Sequence, residues 1–132
     1  MPAIDVEIDP DKGIPEIEFI IGEAKYGFVR CRIGDGNYQN RRICKELDNP
    51  STRTIRFPVN GDLTDISEAS TLIGSVMGWH LYIIEQDDVD TSNYFLSTKL
   101  YQDGELIKEL PAQQGEFSEA HIVRGRIRFV AA

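Results

Sequence analysis

The chain has 132 residues, 41% hydrophobic and 27% charged, and 22 acidic against 14 basic residues give it a formal net charge of −8. That length supports one domain, residues 1–132, with a core that needs no staples, and no apolar run approaches the ~18 residues that would span a bilayer. The acidic balance works against a nonspecific grip on phosphate backbones or anionic membranes, so neither nucleic acid nor membrane is expected as a partner.

From the N-terminus, MPAIDVEIDPDKG carries neither the positive leader nor the apolar stretch of a secretory signal, from which a cytoplasmic location is expected. Within it, AIDVEID alternates Ile4, Val6 and Ile8 against Asp5, Glu7 and Asp9, the pattern of a strand with one buried and one wet face. PEIEFIIG sets Ile17, Phe19 and Ile21 opposite Glu16 and Glu18, and AKYGFVRCRIG sets Val29, Cys31 and Ile33 opposite Arg30 and Arg32. The two runs read as a hairpin in which glutamates face arginines across the strands.

The pattern then dissolves in GDGNYQNRRICKELDNPS, residues 34–51, where Gly, Asn, Asp and Pro supply turn chemistry. This is the longest irregular connection expected, and long connections often carry function. RTIRFPV resumes a strand, with Pro58 marking an edge or a strand end. In DLTDISEASTLIGSVMG, Asp65 and Glu68 have capping-box spacing and Ile66, Ala69, Ile73 and Met77 share one helical face, which predicts one short helix near 65–76 against a Ser and Thr content that opposes it.

GWHLYIIEQ is apolar on both faces, Trp79, Leu81 and Ile83 on one and His80, Tyr82 and Ile84 on the other, and is expected to be a central strand. After the acidic connection EQDDVDTSNY comes NYFLSTKLYQDGELIKEL, whose Asp103-Gly104 fits a type I′ hairpin turn. The last strand, AHIVRGRIRFV, sets His121, Val123, Ile127 and Phe129 against Arg124, Arg126 and Arg128, with Gly125 read as a bulge. Together these elements predict an all-β antiparallel sandwich of about seven or eight strands, immunoglobulin-like or C2-like in general look, with a barrel as the alternative. Its core is predicted from Ile4, Val6, Ile17, Phe19, Val29, Cys31, Phe57, Trp79, Leu81, Ile83, Leu96, Leu100, Ile127 and Phe129.

No GxSxG, HExxH, P-loop or GxGxxG motif is present, and no cofactor is implied. The expected function is therefore that of a noncatalytic binding or assembly module contacting a protein or a carbohydrate through loops or a sheet face. The alternative is an enzyme of unfamiliar type that uses Cys44, His80 or His121 with nearby acids. Cys31 and Cys44 have no CxxC or metal-type spacing and are expected as reduced thiols, or as a disulfide if the chain is exported.

Candidate binding residues are Tyr38, Tyr94, Arg124, Arg126 and Arg128. Tyrosines on loops offer rigid contact area with a polar tip. Three guanidiniums about 6.8 Å apart along one strand face can read carboxylate or phosphate, unless the acids of a neighbouring first strand, Asp5, Glu7 and Asp9, neutralise them. Asp87, Asp88 and Asp90 are the candidates for a calcium site, with Asp62 or Asp65 as ligands from a second loop. Lys99 at position twelve excludes an EF-hand frame begun at Asp88, and a solvated acidic turn is the competing reading. Pro58, Lys99 and Lys108 read as guards on sheet edges, which predicts a monomer or a small closed oligomer.

Overall fold

The computed structural model describes residues 2–22, 25–52, 54–85, 93–116 and 120–132. The period-two segments form strands β1 (Ile4–Ile8), β2 (Glu16–Gly22), β3 (Lys25–Gly34), β4 (Arg42–Thr52), β5 (Thr54–Pro58), β6 (Val76–Glu85), β7 (Asn93–Gln102), β8 (Glu105–Glu109), β9 (Gln113–Glu116) and β10 (Ala120–Ala131). They build a sandwich of two sheets. The first runs β1-β10-β6-β3-β4; the second runs β5-β2-β7-β8, with β9 also paired to β7. All pairs are antiparallel except β1 with β10, a parallel pair at one edge of the first sheet. Among the described residues no helix is long and apolar enough to cross a membrane.

The inward residues of the two sheets form one apolar cluster. Phe19 of β2 meets Trp79 of β6 edge to face across the sandwich, ring centroids 5.4 Å apart, a preferred aromatic geometry. Thirteen of the fourteen predicted core residues are buried; Ile4, which begins the edge strand, remains 38% exposed. The central position of β6 and the edge position of Pro58 on β5 agree with the sequence reading. So does the type I′ turn, with φ of 50° at Asp103 and 81° at Gly104.

Five expectations are corrected. β2 and β3 do not form a hairpin but lie in different sheets. Glu16 and Glu18 accordingly face Arg56 of β5, at 3.2 and 3.8 Å, while Arg30 pairs with Glu46 of β4 at 3.1 Å. The second half of the long connection is strand β4, hidden in the sequence because its pairing with β3 slips register twice and breaks the alternation. The helix shrinks to a 3-10 turn, Ala69–Leu72, that buries Ala69 and Leu72 but leaves Ile73 exposed; Glu68 caps it without a side-chain hydrogen bond. Gly125 is no bulge, since β10 and β6 keep continuous register through it. The glycine is required because a Cβ there would run into the indole of Trp79 on the facing position. Lys99 guards no edge, for β7 lies between β2 and β8.

Gln102, unnoticed in the sequence, is buried and holds the first turn of the chain against β7. Its amide donates to the carbonyls of Asp9 (2.8 Å) and Gly13 (2.9 Å) and its oxygen accepts the Asp9 N–H (2.9 Å).

Candidate functional site

Strands β3, β6 and β10 lie side by side, and their outward residues fall in rows across the first sheet. One row is Phe28, Tyr82 and Ile122; the next is Arg30, His80 and Arg124; the third is Arg32, Gly78 and Arg126; the fourth is Gly34, Val76 and Arg128. The first row is apolar, with the Phe28 and Tyr82 rings stacked at 4.7 Å and Ile122 39% exposed. The second and third rows are basic. Arg30 of the second row is matched by Glu46 at 3.1 Å, whereas like charges left unmatched beside one another repel.

The loop between β3 and β4 folds down over the third row. Asp35 pins it: its carboxylate accepts the backbone N–H groups of Asn37 (3.1 Å) and Gln39 (2.8 Å) and the Asn40 amide (3.3 Å). This is the side-chain-to-backbone turn chemistry that aspartate favours, and it explains why GDGNYQN stands where it does. Tyr38, at φ 57°, is thereby aimed back at the sheet, and its phenol packs on Gly78 where a Cβ would otherwise lie. Arg126 and Arg41 place their guanidiniums over the Tyr38 ring at 4.5 and 4.8 Å from its centroid, close enough for cation–π attraction. Burial pushes the Tyr38 phenol up from its ordinary pKa while Arg126, Arg41 and Arg32 pull it down, so it stays a protonated donor at neutral pH.

A pocket of about 200 Å³ opens between these groups, lined by Arg32, Tyr38, Arg41, His80, Arg124 and Arg126 over the backbone of β6 and β10. Among the described residues none of Arg32, Arg41, Arg124 and Arg126 has an ion-pair partner. Burial first, and then the charges of Arg124, Arg32 and Arg30, hold the His80 pKa below its usual value, so at neutral pH the imidazole is uncharged.

The structure therefore brings together three of the five predicted binding residues, Tyr38, Arg124 and Arg126. Arg128 instead clasps the loop to the sheet, lying 3.9 Å from Asp5 of β1 and donating to the Gly36 carbonyl at 3.0 Å. Asp5 is the single carboxylate of the first strand that meets the arginine stripe, because parallel pairing sets Glu7 opposite Val130. Tyr94 belongs to the second sheet, where it packs against the core beside Gly115. Tyr101, on the same sheet, donates to Glu18 at 2.9 Å beneath the Arg56 guanidinium. Arg32, Arg41 and His80 were missed as binding residues by sequence reasoning, since nothing local says that three strands and a loop converge.

Asp87, Asp88 and Asp90 lie outside the described residues, and among those described no group of three His, Cys, Asp or Glu side chains is placed to hold a metal ion. The proposed second-loop ligands are taken by bases, Asp62 by Lys45 at 3.3 Å and Asp65 by Arg42 at 2.8 Å. Cys31 and Cys44 are free and buried. Burial pushes the Cys44 thiol up to about 11 and the Cys31 thiol well above its usual value, the opposite direction from the lowered pKa of an activated cysteine. Cys44 belongs to the core between the sheets whereas His80 lies on the outer face, so the two do not meet. The His121 backbone is in register with Ile83, and its side chain lies outside the described residues.

No family model, curated protein or solved structure matches this chain.

Proposed function

We propose that the chain is a noncatalytic binding module that docks an acidic segment of a partner protein on the outer face of the β1-β10-β6-β3-β4 sheet. The observation that carries this reading is the set of four arginines without carboxylate partners among the described residues, gathered around Tyr38, in a chain whose net charge is −8. Planar guanidinium forks match carboxylates with paired hydrogen bonds, and the neighbouring Phe28–Tyr82–Ile122 row supplies apolar contact for the rest of a bound segment. Protein is favoured over carbohydrate because arginines already stand over the Tyr38 ring, the surface a sugar would stack on. The separation of Cys44 from His80 removes the support for the enzyme reading built on that pair.

The test is fluorescence anisotropy of labelled pentaglutamate and pentalysine peptides with the intact protein. Pentaglutamate is expected to bind in a salt-sensitive manner, at least tenfold more weakly to an Arg32→Gln, Arg126→Gln variant, and pentalysine is expected not to bind at that face. Equal behaviour of the two peptides, or indifference to the two substitutions, would remove the reading.

A further inference from the structure

We infer that the Tyr38 pocket takes a single phosphoryl group, carried on a side chain of the partner segment, so that docking on this face depends on phosphorylation. The inference rests on the binding reading above and narrows its ligand.

Geometry sets the spacing of the donors. Arg32 and Arg126 both pair with Gly78, one from each side, which places their Cα atoms roughly 10 Å apart on either side of the Tyr38 phenol that rests on Gly78. Arg124 stands one step further along β10, and Arg41 reaches in from the loop. Four arginines thus line a space of about 200 Å³, room for one phosphoryl group, and a more open space of about 480 Å³ lined by Arg32, Gln39, Asn40 and Arg41 adjoins it.

Charge and hydrogen bonding set the ligand's chemistry. A carboxylate brings one negative charge and two oxygens, enough for a single guanidinium fork. A phosphomonoester brings about −1.5 to −2 charges and three acceptor oxygens, which answers several forks at once. The Tyr38 hydroxyl, with no hydrogen-bond partner among the described residues, adds a further donor at the base of the same space. The Asp35-pinned loop and the stacking of Arg41 and Arg126 on Tyr38 hold these donors in place before the ligand arrives, which lowers the ordering cost of binding.

The acidic remainder of the chain sets the source. A net charge of −8 outside a small basic focus disfavours a long polyanion such as a nucleic acid, which would run beyond the focus, whereas a short acidic peptide with one phosphoryl group needs only the focus. The exposed Ile122 and the stacked Phe28 and Tyr82 beside the pocket give the flanking residues of such a peptide an apolar seat that a free phosphate would not use.

Three pentapeptides with glutamate at the four flanking positions, and serine, glutamate or phosphoserine at the centre, test this on the intact protein at pH 7.5. Adenosine monophosphate is the fourth probe. The phosphoserine peptide is expected to bind at least tenfold more tightly than either other peptide and than the nucleotide. That margin should be lost in Arg124→Gln and in Tyr38→Phe, and kept in Arg56→Gln on the opposite sheet. Equal binding of the phosphoserine and glutamate peptides overturns the phosphoryl inference and leaves the acidic-segment reading standing. Adenosine monophosphate binding as tightly as the phosphopeptide overturns the partner-protein source. No binding of any peptide to the folded protein overturns both readings.

Discussion

The phenol of Tyr38 occupies the space above Gly78 that a β-carbon would fill, so the loop after β3 and the central strand β6 are interlocked at one point. Gly78→Ala should expel the ring and cost about 1–3 kcal/mol, the usual range for overpacking. In a Tyr38→Ala background the same substitution meets no ring and should be near neutral, since alanine suits a strand better than glycine. A double-mutant cycle on thermal stability should therefore show a coupling of at least ~0.5 kcal/mol. Additive effects would show that the loop does not rest on the strand.

Trp79 fills the middle of the sandwich, edge to face with Phe19 and with its indole in the space that a Cβ at Gly125 would need. Its indole N–H has no acceptor among the described residues, so its contribution is packing and not hydrogen bonding. Trp79→Ala should cost roughly 3–5 kcal/mol, a fall in melting temperature of more than about 10 °C for a domain of this size. Gly125→Ala should also destabilise, by overpacking. A Trp79→Ala chain that melts within a few degrees of the parent would contradict the core described above.

Gln102 is a buried amide with three hydrogen bonds to the turn that follows β1. Gln102→Ala leaves the Asp9 N–H and two carbonyls to find water, at about 1–3 kcal/mol. Gln102→Glu should be no better at neutral pH, because a carboxylate cannot donate to the Asp9 and Gly13 carbonyls. Hydrogen exchange should localise the damage to residues 9–13, with β6 and β10 amides protected as before. Uniform loss of protection would show that Gln102 supports the whole sheet.

The Cys44 pKa of about 11 and the raised value at Cys31 follow mainly from burial. Because the thiolate is the reactive form, iodoacetamide at pH 8 should label neither cysteine in the native chain and both in denaturant. Rapid native labelling of Cys44 would place it at the surface and reopen its chemistry.

Much of the sandwich was legible because alternation survives wherever pairing stays in register. Val6, Ile17, Phe19, Leu81 and Phe129 were found by counting twos, and all are buried. The reading failed where register slips: opposite β3 the two shifts turn Ile43 outward, 45% exposed, and bury Cys44, so β4 looked like loop. Gly125 was misread because its reason for being glycine is Trp79 on the neighbouring strand, about 45 residues away in sequence. The site was half legible for the same cause. Arg124, Arg126 and Arg128 announce themselves as a stripe, but their convergence with Arg32, His80 and Tyr38 depends on which strands become neighbours, and local pattern does not encode that.

His80 sits in the middle of the basic rows, with Arg30 and Arg32 on the β3 side, Arg124 and Arg126 on the β10 side, and Arg41 and Tyr38 above. Burial and the Arg124, Arg32 and Arg30 charges hold its pKa below the ordinary 6.5. As pH falls through 6.5 the unfolded chain therefore takes up a proton before the folded chain does, and stability must decline until pH passes below the folded value. Carboxylates ordinarily titrate near 4, so a drop between pH 7 and 5 can be assigned to histidine, and His80→Gln separates it from His121, the only other one. The melting temperature of the native chain is expected to fall over that window and that of His80→Gln to fall less. Arg124→Gln, which removes the largest of the opposing charges, should shift the His80 imidazole titration upward by NMR and shrink the drop. An unshifted titration in Arg124→Gln would mean that Arg124 and His80 do not share the pocket, and the basic site as described would have to be redrawn.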